Sequence, residues 1–169
     1  MNNASRRQFL KQTGLTVAGA AAIGVPTLTR AAGANEKIVL GVIGPGGMGM
    51  NMLQSFASQK DAAIAYVCDP DANRMNAAAK EAEKLTGQAP KAVKDLRRIL
   101  EDKAVDAVII ATPDHWHAPA TILACDAGKH VYVEKPASHN IREGRLMIEA
   151  ASRNKRVVQV GTQSRSTEH

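Results

Sequence analysis

The apolar run Ile38-Val39-Leu40-Gly41-Val42-Ile43 leads without interruption into Gly44-Pro45-Gly46-Gly47-Met48-Gly49. Few folds accommodate a buried strand that ends in three glycines spaced G-x-G-x-x-G and then resumes as a helix, here expected over Met48–Ser58. Gly44 suits a tight turn, and Gly46 lets backbone N–H groups approach a ligand. Gly49 lets the helix pack close to the strand. A helix that starts in such a loop presents unpaired N–H groups and the positive end of its dipole to an anion. Together these features describe a diphosphate cradle in a β-α-β unit. Gly44, Gly46, Gly47, Met48 and Gly49 are therefore its candidate residues.

A second apolar run, Ala62–Cys68, ends at Asp69, twenty-five positions after Gly44. A carboxylate at the tip of the second strand can accept hydrogen bonds from an adenosine ribose, and it repels a 2′-phosphate. Asp69 is the candidate ribose ligand and NAD the expected cofactor. Arg74, a few residues on, leaves NADP open.

The rest of the chain alternates strand and helix. Helices are expected over Asp71–Thr86, Leu96–Asp102, Pro119–Ala127 and Ile141–Asn154, with Asp95 and Asn140 as caps and Gly87 and Gly128 as stops. Strands are expected over Lys91–Val93, Val105–Ala111, His130–Glu134 and Val157–Val160. Val105–Ala111 is almost continuously apolar, as a central parallel strand should be. Six strands with intervening helices predict an α/β fold with a doubly wound parallel sheet, the Rossmann arrangement. Aromatic residues make up only 3% of the chain, so Val, Ile, Leu and Ala must build the core.

Residues 1–34 have a different character. Ser5-Arg6-Arg7-Gln8-Phe9-Leu10-Lys11 carries paired arginines, a mildly apolar stretch runs from Leu15 to Leu28, and Ala32-Gly33-Ala34 offers a cleavage site. This pattern predicts a twin-arginine signal peptide cut after Ala34, with the twin-arginine export machinery as partner and the periplasm as destination. The stretch contains glycines and is broken by Pro26, so no stable membrane span is expected in the mature chain. The leader holds four of the twenty-two basic residues and no acid, which leaves eighteen basic against sixteen acidic residues beyond it. A charge so close to balance gives no reason to expect nucleic acid or a membrane surface as partner. Cys68 and Cys125 fall in a strand and a helix, where two buried thiols are expected rather than a bridge.

Two motifs follow the later strands. Thr112-Pro113-Asp114-His115-Trp116-His117 lies at the carboxyl end of the fourth strand, the edge where open α/β sheets bind ligands. Asp114, His115 and His117 invite a metal, but their spacing is poor for one, and no metal site is expected. Glu134-Lys135-Pro136 ends the fifth strand. An ammonium there could polarise a carbonyl or hold a hydroxyl while a hydride leaves. A solvated lysine paired with Glu134 is the alternative.

These motifs, with Ala127-Gly128-Lys129-His130-Val131-Tyr132-Val133-Glu134-Lys135-Pro136 and the ending Val160-Gly161-Thr162-Gln163-Ser164-Arg165, closely resemble the Gfo/Idh/MocA oxidoreductases. The resemblance covers most of residues 36–165. It implies a catalytic Lys135 near the nicotinamide. It also implies that Thr112, Pro113 and His117 wall the cofactor cleft, and that Glu134 and Gln163 lie near the nicotinamide end. It further implies a sugar or polyol substrate, a homo-oligomer, and a second α+β domain that binds substrate and supplies further acid/base groups.

On that basis residues 35–165 are expected to form the dinucleotide-binding domain, and residues 166–169 to begin a second domain absent from this chain. Three functions follow. One is NAD(P)-dependent oxidation or reduction of a sugar. Another is a glycosidase that oxidises, eliminates and re-reduces with held NAD, which export would favour because free NAD is scarce outside the cytoplasm. The last is a fragment that binds nucleotide and turns nothing over.

Overall fold

Each strand divides its side chains between two helical layers, and that division builds the molecule. The computed structural model describes residues 37–162 and 165. The expected export leader, Gln163 and the expected start of a second domain all fall outside the described residues.

Strands β1 (Ile38–Ile43), β2 (Ala62–Cys68), β3 (Lys91–Val93), β4 (Ala107–Ile110), β5 (His130–Val133) and β6 (Val158–Val160) form one six-stranded sheet in the order β3-β2-β1-β4-β5-β6. Every pairing is parallel. Helices α1 (Gly47–Ala57), α2 (Ala72–Thr86), α3 (Arg97–Leu100), α4 (His117–Asp126) and α5 (Ile141–Asn154) connect them, with a 3-10 turn at Asp114–Trp116 before α4. The strand order reverses direction between β1 and β4. This is the doubly wound α/β fold expected from the alternating pattern.

One face of the sheet packs Leu40, Val42, Ile64, Val67 and Ile109 against Met52 and Leu53 of α1 and Ala78 and Ala82 of α2. The other packs Ile43, Tyr66, Cys68, Val108, Ile110, Val131 and Val133 against α3, α4 and α5. The small residues Ala118, Ala120, Ala124 and Cys125 let α4 lie close to the strands.

An irregularity between Leu40 and Gly41 changes the simple alternation in β2. Leu40 pairs with Ile64 but Gly41 pairs with Tyr66, so Ala65 is an extra residue. A bulge of this kind shifts the facing of everything after it. Ile64 and Val67 thus share one layer, and Tyr66 turns to the other, where its hydroxyl donates to Asp102 Oδ2 at 2.7 Å. Beside the bulge, Ile99 packs directly on the backbone of Gly41. A Cβ there would stand 2.5 Å from Ile99 Cγ2.

The helix ends follow sequence chemistry. Asp71 Oδ1 accepts from the N–H of Asn73 and Arg74, and Gly87 closes α2 in the left-handed region at φ 73°. Asn140 Oδ1 accepts from Glu143 N–H at 2.9 Å, and Glu143 Oε2 accepts from His139 N–H at 2.9 Å. Several boundaries differ from expectation by one or two residues; β4, for one, begins at Ala107 rather than Val105. Asp95 does accept from Arg97 N–H, but α3 covers only Arg97–Leu100. Helix α4 starts at His117 rather than Pro119, because the 3-10 turn feeds straight into it and proline is tolerated in a first turn.

The Gly128-Lys129-His130 stretch works at the amino edge of the sheet. Gly128 adopts φ 77°. Lys129 is buried, and its Nζ donates to the carbonyls of Asp102 at 2.7 Å and Val105 at 3.0 Å. Burial holds its ammonium below the usual lysine range. His130 Nδ1 accepts from Val157 N–H. Cys68 and Cys125 are buried free thiols, as expected. Among the described residues, no helix is long and apolar enough to cross a membrane.

The close seat of Ile99 on Gly41 can be tested by urea unfolding. Ile99→Ala should cost about 2–5 kcal/mol through lost contact and the cavity it leaves. Adding Gly41→Ala to that variant places a methyl in the vacated space. The double variant should therefore be less destabilised than the sum of the two single changes, and strict additivity would contradict the packing described.

Candidate functional site

The carboxyl ends of β2, β1, β4 and β5 bring Asp69, the glycine loop, Thr112-Pro113 and Glu134-Lys135 onto one edge of the sheet in that spatial order. The loop after β1 leaves the sheet at the switch point. Gly44 adopts φ 77°, its N–H donates to Cys68 O at 2.8 Å, and a Cβ there would meet the backbone of Ala111 and Thr112 at 2.8–2.9 Å. Any other residue would be strained and would collide with the backbone just past β4. Gly49 is buried in the first turn of α1, where a Cβ would run into the carbonyl oxygen of Gly44. These two glycines let α1 begin directly over the strand end.

Gly46 and Gly47 are different. Gly46 has an ordinary extended backbone at φ −78°, and a Cβ on it would meet only the Arg74 side chain, at 3.8 Å. A Cβ on Gly47 would meet nothing within 4 Å. The protein's own packing does not require glycine at either position, so what they leave is room for something outside the chain. No side chain caps α1, and its first turn holds no acidic residue. A bare helix N-terminus of this kind favours an anion. The loop therefore fits the diphosphate of a dinucleotide.

A cleft of about 530 Å³ opens beside it, walled by Gly44, Asp69, Arg74, Lys94, Thr112 and Trp116 among others. Asp69 is 5% exposed; its Oδ1 accepts from Asp71 N–H at 2.9 Å, and no partner among the described residues is recorded for Oδ2. That second oxygen is the one left for a ribose hydroxyl. Thr112 Oγ1 is buried with no hydrogen-bond partner among the described residues. Cys68 lines the same cleft. Burial first, and the nearby carboxylates of Asp69 and Asp95 second, push its thiol up to about 12.

The loop after β3 adds residues that the sequence did not single out for the cleft. Lys94, Asp95 and Leu96 line the cleft, as do His115 and Trp116. Hydrogen bonds from Arg97 hold the Asp95 carboxyl well down, at about 2. Nothing in the spacing of these residues ties them to the glycine loop. The available signal was positional, since they follow the third strand at the same edge.

Thr112 and Pro113 stand in the cleft wall, but His117 stands behind it. At 1% exposure it is buried, with Nδ1 2.6 Å from Pro136 O and Nε2 2.8 Å from Thr112 O. Glu134 is also buried, and its Oε2 accepts from Lys135 N–H at 3.0 Å. Lys135 itself is exposed at the tip of β5, on the same sheet edge but outside the residues that wall the cleft. The Lys135–Pro136 peptide bond is cis. Gln163 lies outside the described residues. Among them, no group of three or more His, Cys, Asp or Glu side chains could hold a metal ion.

The profile of an oxidoreductase family with an NAD-binding Rossmann fold matches residues 38–162. The chain belongs to the Gfo/Idh/MocA family. It is 32% identical over 127 residues to a glycosyl hydrolase family 109 protein of Saccharopolyspora erythraea, across 73% of this chain and 28% of that protein. It is 28% identical over 177 residues to an α-N-acetylgalactosaminidase of Shewanella oneidensis, across 92% of this chain and 39% of that one. Among solved structures, the WlbA dehydrogenase of Bordetella pertussis, in complex with NADH and UDP-GlcNAcA, superposes with a TM-score of 0.66 at 28% identity. That match covers 78% of this chain and 37% of the dehydrogenase. The chain thus spans well under half the length of these relatives. The matched residues are an NAD-binding Rossmann domain of that family.

The thiol of Cys68 offers a check on the cleft. Its neutral form is favoured by folding, so this contribution to stability is complete below pH 9 and disappears as pH rises toward 12. At pH 8.5 native Cys68 should react with iodoacetamide at least about tenfold more slowly than in denaturant, because the thiolate is the nucleophile. Equal rates by mass-spectrometric time course would contradict the buried environment.

Proposed function

We propose that this chain holds NAD for hydride transfer at a carbinol carbon of a sugar or polyol, with Lys135 assisting the accompanying proton. One observation carries this reading: the order of the strand tips. Asp69, the glycine loop, Thr112 and Lys135 follow one another along the sheet edge from β2 to β5. Three interstrand spacings separate the ends of that line, about 14 Å. A dinucleotide laid across it would put its adenosine ribose at Asp69 and its nicotinamide toward β5.

Bound NAD supplies a hydride acceptor at the nicotinamide ring. The chain's own residues would do the rest. Asp69 Oδ2 would accept from a ribose hydroxyl, while Oδ1 stays tied to Asp71. The backbone amides at Gly46 and Gly47 would approach the diphosphate without side chains between them. The Lys135 side chain, free to reach over the strand tips, would accept the hydroxyl proton as a neutral amine while the C–H bond gives up its hydride, and as an ammonium would return that proton to the oxygen in the reverse reduction. Sugar chemistry comes from the relatives' names, two of which denote glycoside-cleaving proteins and one a dehydrogenase with a bound UDP-sugar.

Trp116 is the chain's only tryptophan and it lines the cleft, so it reports on occupancy. NAD should quench it saturably. Asp69→Ala should weaken NAD about tenfold, about 1.4 kcal/mol, while affecting NADP less. Unchanged NAD affinity would remove the adenosine pose.

A second use of the same hydride step is favoured by the α-N-acetylgalactosaminidase relative. There the sugar would be oxidised, lose its glycosidic substituent by elimination, and be reduced again. NAD would not be consumed. Incubating the protein with NAD and an N-acetylgalactosaminide distinguishes the two. Glycoside cleavage without accumulating NADH supports the second use, and NADH formed in proportion to oxidised sugar supports the first.

A further inference from the structure

We propose that His117 is a positioning residue for Lys135: it fastens the turn after β5 to the turn after β4 through both nitrogens of its ring. The proposal rests on the reading that Lys135 serves the nicotinamide end of the site. His117 is 1% exposed, so it acts on its neighbours rather than on a ligand. Those neighbours are two carbonyl oxygens from two different strand tips. Pro136 O lies 2.6 Å from Nδ1 and Thr112 O lies 2.8 Å from Nε2. Thr112 stands in the cleft wall, and Pro136 directly follows Lys135.

The need for such a fastening is visible in the ladder. The register of β4 and β5 ends at Ile110 opposite Val133, and the Glu134 N–H to Ile110 O bond at 2.9 Å closes it. Lys135 and Pro136 extend past that point, as Thr112 and Pro113 do on the neighbouring strand. His117 bridges the two extensions from below, at the first residue of α4. The 3-10 turn Asp114–Trp116 brings it back under Thr112. Nearer to Lys135, the Glu134 carboxylate accepts from the Lys135 N–H. The lysine's main chain is therefore gripped on one side by Glu134 and on the other by His117, while its ammonium stays exposed.

Carbonyl oxygens only accept. A ring with both nitrogens protonated donates to both of them, whereas a neutral ring donates to one and sets a lone pair against the other. Glutamine, with two amide hydrogens on one nitrogen, can reproduce part of this, and alanine none.

The test follows Lys135 directly. Reductive methylation with labelled formaldehyde marks the lysine, and loss of a peak in Lys135→Arg assigns it. In the 169-residue chain without ligand, His117→Ala should displace or broaden the Lys135 resonance, and His117→Gln should restore it in part. ADP-ribose, titrated by calorimetry, should bind within about threefold of wild type in both variants, because the adenosine end is held by other strand tips. NAD should shift the Lys135 peak in wild type and fail to shift it in His117→Ala.

An unmoved Lys135 peak in ligand-free His117→Ala would overturn the proposal. So would parallel loss of ADP-ribose binding, which would mark a general structural defect. A Lys135 peak in wild type that ignores NAD would instead defeat the functional reading. The ligand-free comparison would still decide whether His117 fastens the turn.

Discussion

The site depends on one close backbone approach, in which the first turn of α1 lies against the carbonyl of Gly44. Gly49 can sit there because it has no Cβ to strike that oxygen, and Gly44 can turn there because it has none to strike the backbone of Ala111 and Thr112. Given this contact, the helix starts directly over the end of β1, at the switch point of the sheet. Its bare N-terminus then faces the crevice that the strand order opens. Moving α1 outward by the width of a methyl group would carry its amides away from that crevice. The remaining site groups are placed relative to this point, one strand tip at a time.

The sheet that carries those tips is stabilised in two layers, and each layer is tied to function. Small residues along α4 bring that helix close to β4 and β5, and its first residue, His117, then reaches the carbonyls beyond both strands. The bulge at Ala65 turns Tyr66 toward Asp102 and leaves Val67 in the opposite layer. Past the bulge, β2 ends with Cys68 and Asp69 buried, and one oxygen of Asp69 is fixed by its own turn. The polar groups nearest the cleft are thus held by short local bonds, while apolar contacts beneath them set the positions of the strands.

Much of this was legible in the residues. The glycine spacing, the apolar runs and the cap at Asn140 act locally, so the pattern alone located every strand to within about two residues. The rule that ligands gather at the carboxyl edge put Asp69 and the Thr112–His117 stretch there, and the family resemblance singled out Thr112 and Pro113 as wall residues. Other features were not legible because they depend on distant partners. Lys94 to Leu96 reach the cleft only through the pairing of β3 with β2. The bulge answers to Tyr66 and Asp102, thirty-six positions apart. The Gly128-Lys129-His130 part of the family signature sits at the opposite edge from the site. There Lys129 binds the carbonyls of the α3–β4 loop, a role that no local pattern announces.

By itself the sequence determined the class of fold and put the glycine loop and Asp69 at the ends of the first two strands, because each rests on backbone geometry and short-range spacing. The tertiary structure alone decided which residues line the cleft and which stand behind it. His117 belongs to the second group and Trp116, its neighbour in the chain, to the first. The difference between adjacent residues comes from the 3-10 turn and from the two carbonyls waiting under the strand tips, contacts that exist only once β4, β5 and α4 have been brought together.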